Sequence, residues 1–146
     1  MDHDIWEKAL LSELDRHAKL TPGRVLNSIF FGGGTPSLMR PQTVERLIDR
    51  TTTHWTPAND IEITLEANPT SIEAEKFKGF RSAGVNRVSV GIQALNNPDL
   101  KRLGRLHSVD EGIAALDIAQ STFDRFSFDL IYARQNQSLT AWEAEL

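Results

Sequence analysis

Apolar positions along the chain repeat with two different periods. From Ile5 to Lys19 the period is helical, with Trp6, Leu10, Leu14 and Ala18 on one face, and Thr21-Pro22-Gly23 ends it. Ile29-Phe30-Phe31 then forms a run with no polar face, which predicts a buried strand ending at Gly32-Gly33-Gly34. Pro41 opens a second helix with Val44, Leu47, Ile48 and Thr51 on one side, and Trp55-Thr56-Pro57 closes it. Ile61 to Glu66 alternates as a strand does, up to the break at Ala67-Asn68-Pro69. Thr70 and Glu73 read as a capping box for a third helix, with Gly84 as its C′ residue.

Arg87 to Gln93 predicts a third strand, and Pro98 starts a short helix after Asn97. Ser108 and Glu111 make a second capping box, for a helix running to about Ala119. Phe126 to Tyr132 predicts a fourth strand, and Thr140 with Glu143 begins a last helix. The order is one helix, then four rounds of strand and helix. Alternation of this kind implies an α/β fold with a parallel sheet covered by helices. Both a doubly wound sheet and part of a βα barrel fit it. The chain starts with a helix that no strand precedes and stops inside a helix, and four parallel strands leave two open edges. The expectation is a piece of a longer protein.

Composition narrows the class. The chain has 146 residues, 40% hydrophobic, with a formal net charge of −4, which is one domain's length. Mild, dispersed acidity argues against a nucleic-acid binder. No segment approaches a membrane span, and Met1-Asp2-His3-Asp4 is not the start of a signal peptide, so a cytosolic protein is the default expectation. There is no cysteine, hence no thiolate nucleophile or thiolate metal ligand.

Ligands of parallel α/β folds bind at the carboxyl ends of the strands. There the sequence places the glycine loop, Glu66, Gln93 and Asp129, spaced by about thirty residues, the length of one βα unit. Asp129 sits between Phe128 and Leu130 and is expected to be a buried carboxylate with a partner or ligand. Arg105, in Leu103-Gly104-Arg105-Leu106-His107, can grip a carboxylate with its planar fork. Together these groups suit a zwitterionic nucleoside. The plainer alternatives are a strand-to-helix turn with no ligand, structural acids capping loops, and a solvated arginine. His107 is expected to be structural or at the surface, and the four histidines are scattered.

Four motifs carry a resemblance. Phe30-Phe31-Gly32-Gly33-Gly34-Thr35-Pro36-Ser37 resembles the glycine motif of the oxygen-independent coproporphyrinogen III oxidase-like branch of radical SAM enzymes. Glu62 to Pro69, Gly84 to Gln93 and Phe128 to Tyr132 resemble that branch's next three motifs in order and spacing. Leu103 to His107 looks more like the haem-chaperone (HemW-type) group than the decarboxylating oxidases, which tend to carry Asn-Arg-Glu in place of Gly104-Arg105-Leu106.

The resemblance implies about four βα units of a six-unit, partly open barrel, with residues 1–146 a partial core domain. It implies S-adenosylmethionine across the strand ends, with Gly33, Gly34 and Thr35 at its methionine end and Glu66, Gln93, Arg105 and Asp129 as side-chain contacts. In the complete family member a [4Fe–4S] cluster, fed by an electron donor, cleaves S-adenosylmethionine to methionine and a 5′-deoxyadenosyl radical. Haem or a porphyrin is a further implied partner. The chain departs from the family in lacking the C-x-x-x-C-x-x-C cluster loop and in carrying Gln135-Asn136-Gln137 where a Pro-Gly-Gln turn is usual. The rival readings are a non-catalytic S-adenosylmethionine or nucleoside binder that is a remnant, a coproporphyrinogen III decarboxylase, and an unrelated βα-barrel enzyme whose glycine loop cradles phosphate.

Overall fold

The computed structural model describes residues 2–146, apart from the side chains of residues 71 and 72. Asp2 caps the first helix, α1 (His3–Leu20), by accepting from the backbone N–H groups of Asp4 and Ile5. The strands are β1 (Val25–Phe31), β2 (Thr56–Ala67), β3 (Arg87–Gln93) and β4 (Arg125–Leu130). Between them lie a 3₁₀ turn (Pro36–Leu38) and the helices α2 (Pro41–His54), α3 (Ser71–Ala74), α4 (Phe77–Ser82), α5 (Asn97–Arg102) and α6 (Val109–Thr122). After β4 comes α7 (Leu139–Glu143).

All neighbouring strands pair in parallel, in the order β1-β2-β3-β4. That order decides between the two architectures. A doubly wound sheet reverses its strand order at a switch point, whereas each strand here lies beside its predecessor. Right-handed crossovers then keep the helices on one face, as in a barrel segment. Between helices and sheet lies one core, in which Val44, Ile48, Phe77, Phe80, Ala115 and Ala119 meet Ile63, Leu65, Val88, Val90 and Ile92. The predicted face of α2 is the buried one: Val44, Leu47, Ile48 and Thr51. The Ser108–Glu111 capping box forms with both of its arms.

The opposite face of the sheet is polar at alternate positions, as the strand period requires. Glu62 and Thr64 of β2, Arg87 and Ser89 of β3, and Arg125 and Ser127 of β4 form a cross-strand network there. Arg87 donates to Glu62 (3.4 Å), Thr64 (3.3 Å) and Ser127 (2.9 Å), and Arg125 reaches Glu62 at 3.3 Å.

Several expectations need correction. The β1 run is apolar yet not buried, because β1 is an edge strand among the described residues and Phe30 is 57% exposed. The apolar face of α1 contributes no buried residue. Trp6, Leu10 and Leu14 instead line an apolar groove of about 530 Å³ against β1. Polar ties to α2 hold the helix, including Glu7 to Thr43 (2.6 Å) and to Arg46, and Asp15 to Arg50 (3.0 Å) and His54 (2.7 Å).

The third helix is two short ones, α3 and α4, and Glu73 does not turn back to its cap. Thr56 starts a strand rather than ending a helix, and Ser138 rather than Thr140 caps the last helix by accepting from Ala141 N–H. The fourth strand ends at Leu130, opposite Gln93, because β3 turns there (Gln93 φ +71°); Ile131 N–H makes one last bond, to the Gln93 carbonyl, and Tyr132 lies beyond the ladder. The turn at 134–137 closes with Gln137 N–H donating to the Arg134 carbonyl (3.0 Å), with Asn136 left-handed at φ +62°. Asparagine tolerates that conformation better than other non-glycine residues, so the departure from Pro-Gly keeps the turn.

Candidate functional site

Each strand delivers its polar terminus to one end of the sheet through a distinct local device. At the end of β1, a Cβ on Gly32 would lie 2.8 Å from the Phe30 ring and 3.3 Å from a Glu66 carboxylate oxygen, so any larger residue there would have to push the Phe30 ring and the Glu66 carboxylate aside. Gly33 and Gly34 take φ +79° and +55°. Gly33 N–H then donates to Glu66 Oε2 at 3.3 Å, tying the loop to the end of β2.

At the end of β3 a bulge between Val90 and Gln93 shifts the register. The left-handed Gln93 still holds β4, accepting from Ile131 N–H at 2.9 Å, while its side-chain amide donates to Asp129 Oδ2. Gly91 leaves the room for this, since a Cβ there would meet Gln93 Nε2 at 3.0 Å. Asp129 is paired as expected but not buried: it is exposed on the edge strand β4.

Arg105 arrives through a Schellman motif at the end of α5. Gly104 N–H donates to the Lys101 carbonyl (3.1 Å) and Arg105 N–H to the Leu100 carbonyl (2.9 Å), with Gly104 at φ +70°. The turn directs the guanidinium back over the strand ends, where Nη1 contacts Asn68 Oδ1 at a long 3.5 Å.

Gly34, Thr35, Glu66, Gln93, Arg105 and Asp129 thus line one cleft of about 220 Å³. Gly33 does not line it; it touches the cleft only through Glu66 and lines the apolar groove under α1 instead. Pro36, Asn68, Ser89 and Gly91 also line the cleft and were not foreseen. Their signal was present in part: in Arg87-Val88-Ser89-Val90-Gly91 every second residue is polar or lacks a side chain, which opens one face. Asn68 read only as a strand breaker.

Two carboxylates face one guanidinium in the cleft, so its charge balance favours a cation or a zwitterion over a phosphate. Three polar chemistries are available: a donor fork for a carboxylate, carboxylates for an ammonium or hydroxyls, and bare backbone at the glycine loop. These residues fit S-adenosylmethionine. The chain does not fit an iron–sulfur cluster, since it has no cysteine. Among the described residues no group of three or more His, Asp or Glu is arranged to hold a metal ion. His107 is a structural residue, buried with Nε2 donating to the Ile92 carbonyl at 3.1 Å.

The radical SAM superfamily model matches residues 6–143. The heme chaperone HemW of Escherichia coli is 41% identical over 138 residues, which is 94% of this chain and 36% of the relative. The mitochondrial radical S-adenosyl methionine domain-containing protein 1 of Danio rerio is 37% identical over 99% of this chain and 33% of the relative. The chain therefore spans about a third of the length of these curated relatives. The solved structure of coproporphyrinogen III oxidase (HemN) from Escherichia coli, described as a radical SAM enzyme, superposes with a TM-score of 0.84. It is 28% identical, over 98% of this chain and 33% of that one. Elp3 of Methanocaldococcus infernus shares the fold at a TM-score of 0.65 and 18% identity, over 93% of this chain and 36% of that one.

Proposed function

This chain belongs to the radical SAM superfamily, and we propose that it holds S-adenosylmethionine at the carboxyl ends of its four strands, as part of a protein of the haem-chaperone type. One observation carries this reading: residues far apart in sequence, Gly34, Thr35, Glu66, Gln93, Arg105 and Asp129, line one cleft. In the proposal the Arg105 fork takes the methionine carboxylate and Glu66 accepts from the ammonium. The paired Gln93 and Asp129 face the ribose hydroxyls. The glycine loop, with Gly33 behind it, lies along the methionine end.

Bound there, S-adenosylmethionine supplies radical chemistry in complete family members through reductive cleavage at its sulfonium. This chain's residues bind and orient the ligand. The cluster, its electron donor, and haem or a porphyrin belong to the proposal for a complete protein, haem entering through the name of the Escherichia coli relative. No helix among the described residues is long and apolar enough to cross a membrane. A cytosolic location is part of the proposal, although the Danio rerio relative is named as mitochondrial.

The test is a calorimetric titration with S-adenosylmethionine before and after anaerobic treatment with iron and sulfide. One site per chain is expected in both cases, with no stoichiometric cluster formed. A visible charge-transfer band with matching iron content, or the absence of any saturable site, would contradict the proposal.

A further inference from the structure

Glu73 lies behind the cleft and is buried. Its carboxylate accepts from the Ser37 hydroxyl, from Asn68 N–H at 2.9 Å and from Asn68 Nδ2 at 3.4 Å. Lys76 Nζ secures the same junction from the other side, donating to the Ser37 carbonyl at 3.2 Å. Ser37 lies in the 3₁₀ turn after β1, Asn68 begins the loop after β2, and Arg105 follows α5 beyond β3. Donor and acceptor chemistry fixes the order of this chain of contacts. A carboxylate only accepts and a guanidinium only donates, so the Asn68 amide between them can be oriented one way only. Its NH₂ faces Glu73 and its oxygen faces Arg105. The Thr-x-x-Glu signature at Thr70 is therefore only half a capping box: Glu73 N–H lies 3.4 Å from the Thr70 hydroxyl, while its carboxylate is diverted to the two loops.

We propose that Glu73 is a positioning residue for the ligand cleft: it locks the loops after β1 and β2 together and, by orienting the Asn68 amide, holds Arg105 where it meets the ligand's carboxylate. The proposal rests on the S-adenosylmethionine reading above. Glu73→Gln keeps the shape but puts an NH₂ against the Asn68 side chain. Asn68 must then turn its oxygen inward and its own NH₂ toward Arg105, donor against donor. Adding Asn68→Asp restores an acceptor on both sides.

The experiment titrates S-adenosylmethionine into the chain, into Glu73→Gln and into Glu73→Gln/Asn68→Asp, and records the unfolding midpoint of each. Glu73→Gln is expected to weaken binding roughly tenfold. The double variant is expected to return to within about threefold of the parent. A merely structural role would lower the unfolding midpoint and show no rescue of affinity. Parent affinity in Glu73→Gln, or no recovery in the double variant, overturns this inference and leaves the ligand site standing. No binding by the parent removes the ligand site, and this inference with it. Should Glu73→Gln fail to fold, Ser37→Ala removes one arm alone: a severalfold loss supports the inference and unchanged affinity overturns it.

Discussion

Arg134→Met should destabilise the fold by roughly 3 kcal/mol, the low end of the cost of removing one partner from a largely buried ion pair, here Arg134 with Glu145. The Arg134 side chain is 4% exposed and its partner Glu145 is 6% exposed. Nε donates to Asp99 Oδ2 at 2.8 Å, Nη2 donates to Glu145, and Nη1 donates to the Ile131 carbonyl. Glu145 also accepts from Leu95 N–H (2.6 Å) and Asn96 Nδ2 (3.3 Å) in the loop leaving β3. The guanidinium therefore joins three segments: the turn after β4, helix α5 and the end of α7. Asp99 keeps Arg102 at 2.7 Å, so most of the loss should come from Glu145. Chemical denaturation of the single variants and of Arg134→Met/Glu145→Gln measures this. The double variant should recover part of the loss, and a loss below about 1 kcal/mol in Arg134→Met would contradict the account.

The same cluster sets an acid limit. Hydrogen bonds from Asn96 and then Arg134 hold the Asp99 carboxyl below its ordinary value. A group whose folded pKa is lowered contributes stability above its unfolded pKa, and that contribution is lost as pH falls through the folded value. The parent should therefore lose stability below about pH 4, and Arg134→Met should lose less over that window.

Arg105→Ala should weaken S-adenosylmethionine binding by roughly 1.5–3 kcal/mol, about ten- to a hundredfold, the worth of a charge-assisted forked pair. The fold should be little affected. The side chain is half-buried, its protein contact is the long one to Asn68, and the turn that places it is made by backbone bonds of Gly104 and Arg105 that alanine keeps. Arg105→Lys should recover only part of the affinity, because lysine offers a point charge without the fork. Calorimetry on both variants decides it. Unchanged affinity in a folded Arg105→Ala would remove Arg105 from the site.

Much of this was legible in the sequence wherever a local rule acts alone. Pro41 and the Ser108–Glu111 box marked helix starts because N-terminal helix chemistry is local. The convergence of Gly34, Thr35, Glu66, Gln93, Arg105 and Asp129 on one cleft was legible because strand ends converge in any parallel α/β fold, whatever separates them in sequence. Burial was less so. Ile29, Phe30 and Phe31, like Phe126 and Phe128, are apolar, but their strands are the two edges of the described sheet, and apolarity does not reveal which strands pair on both sides. For the same reason Asp129 is exposed within an apolar run. Glu73 was misassigned because Thr-x-x-Glu specifies a helix cap only when no stronger acceptor duty competes, and that duty comes from Ser37, thirty-six residues earlier.

The central claim is that the strand ends form a site for S-adenosylmethionine and not for a phosphate. The most direct measurement is a calorimetric titration of the chain with S-adenosylmethionine beside one with ATP. Glu66 and Asp129 should repel a triphosphate while accepting from an ammonium and from ribose hydroxyls. The account predicts one saturable site for S-adenosylmethionine and no saturable heat with ATP. Saturable ATP binding with none for S-adenosylmethionine would contradict it and make the glycine loop a phosphate cradle.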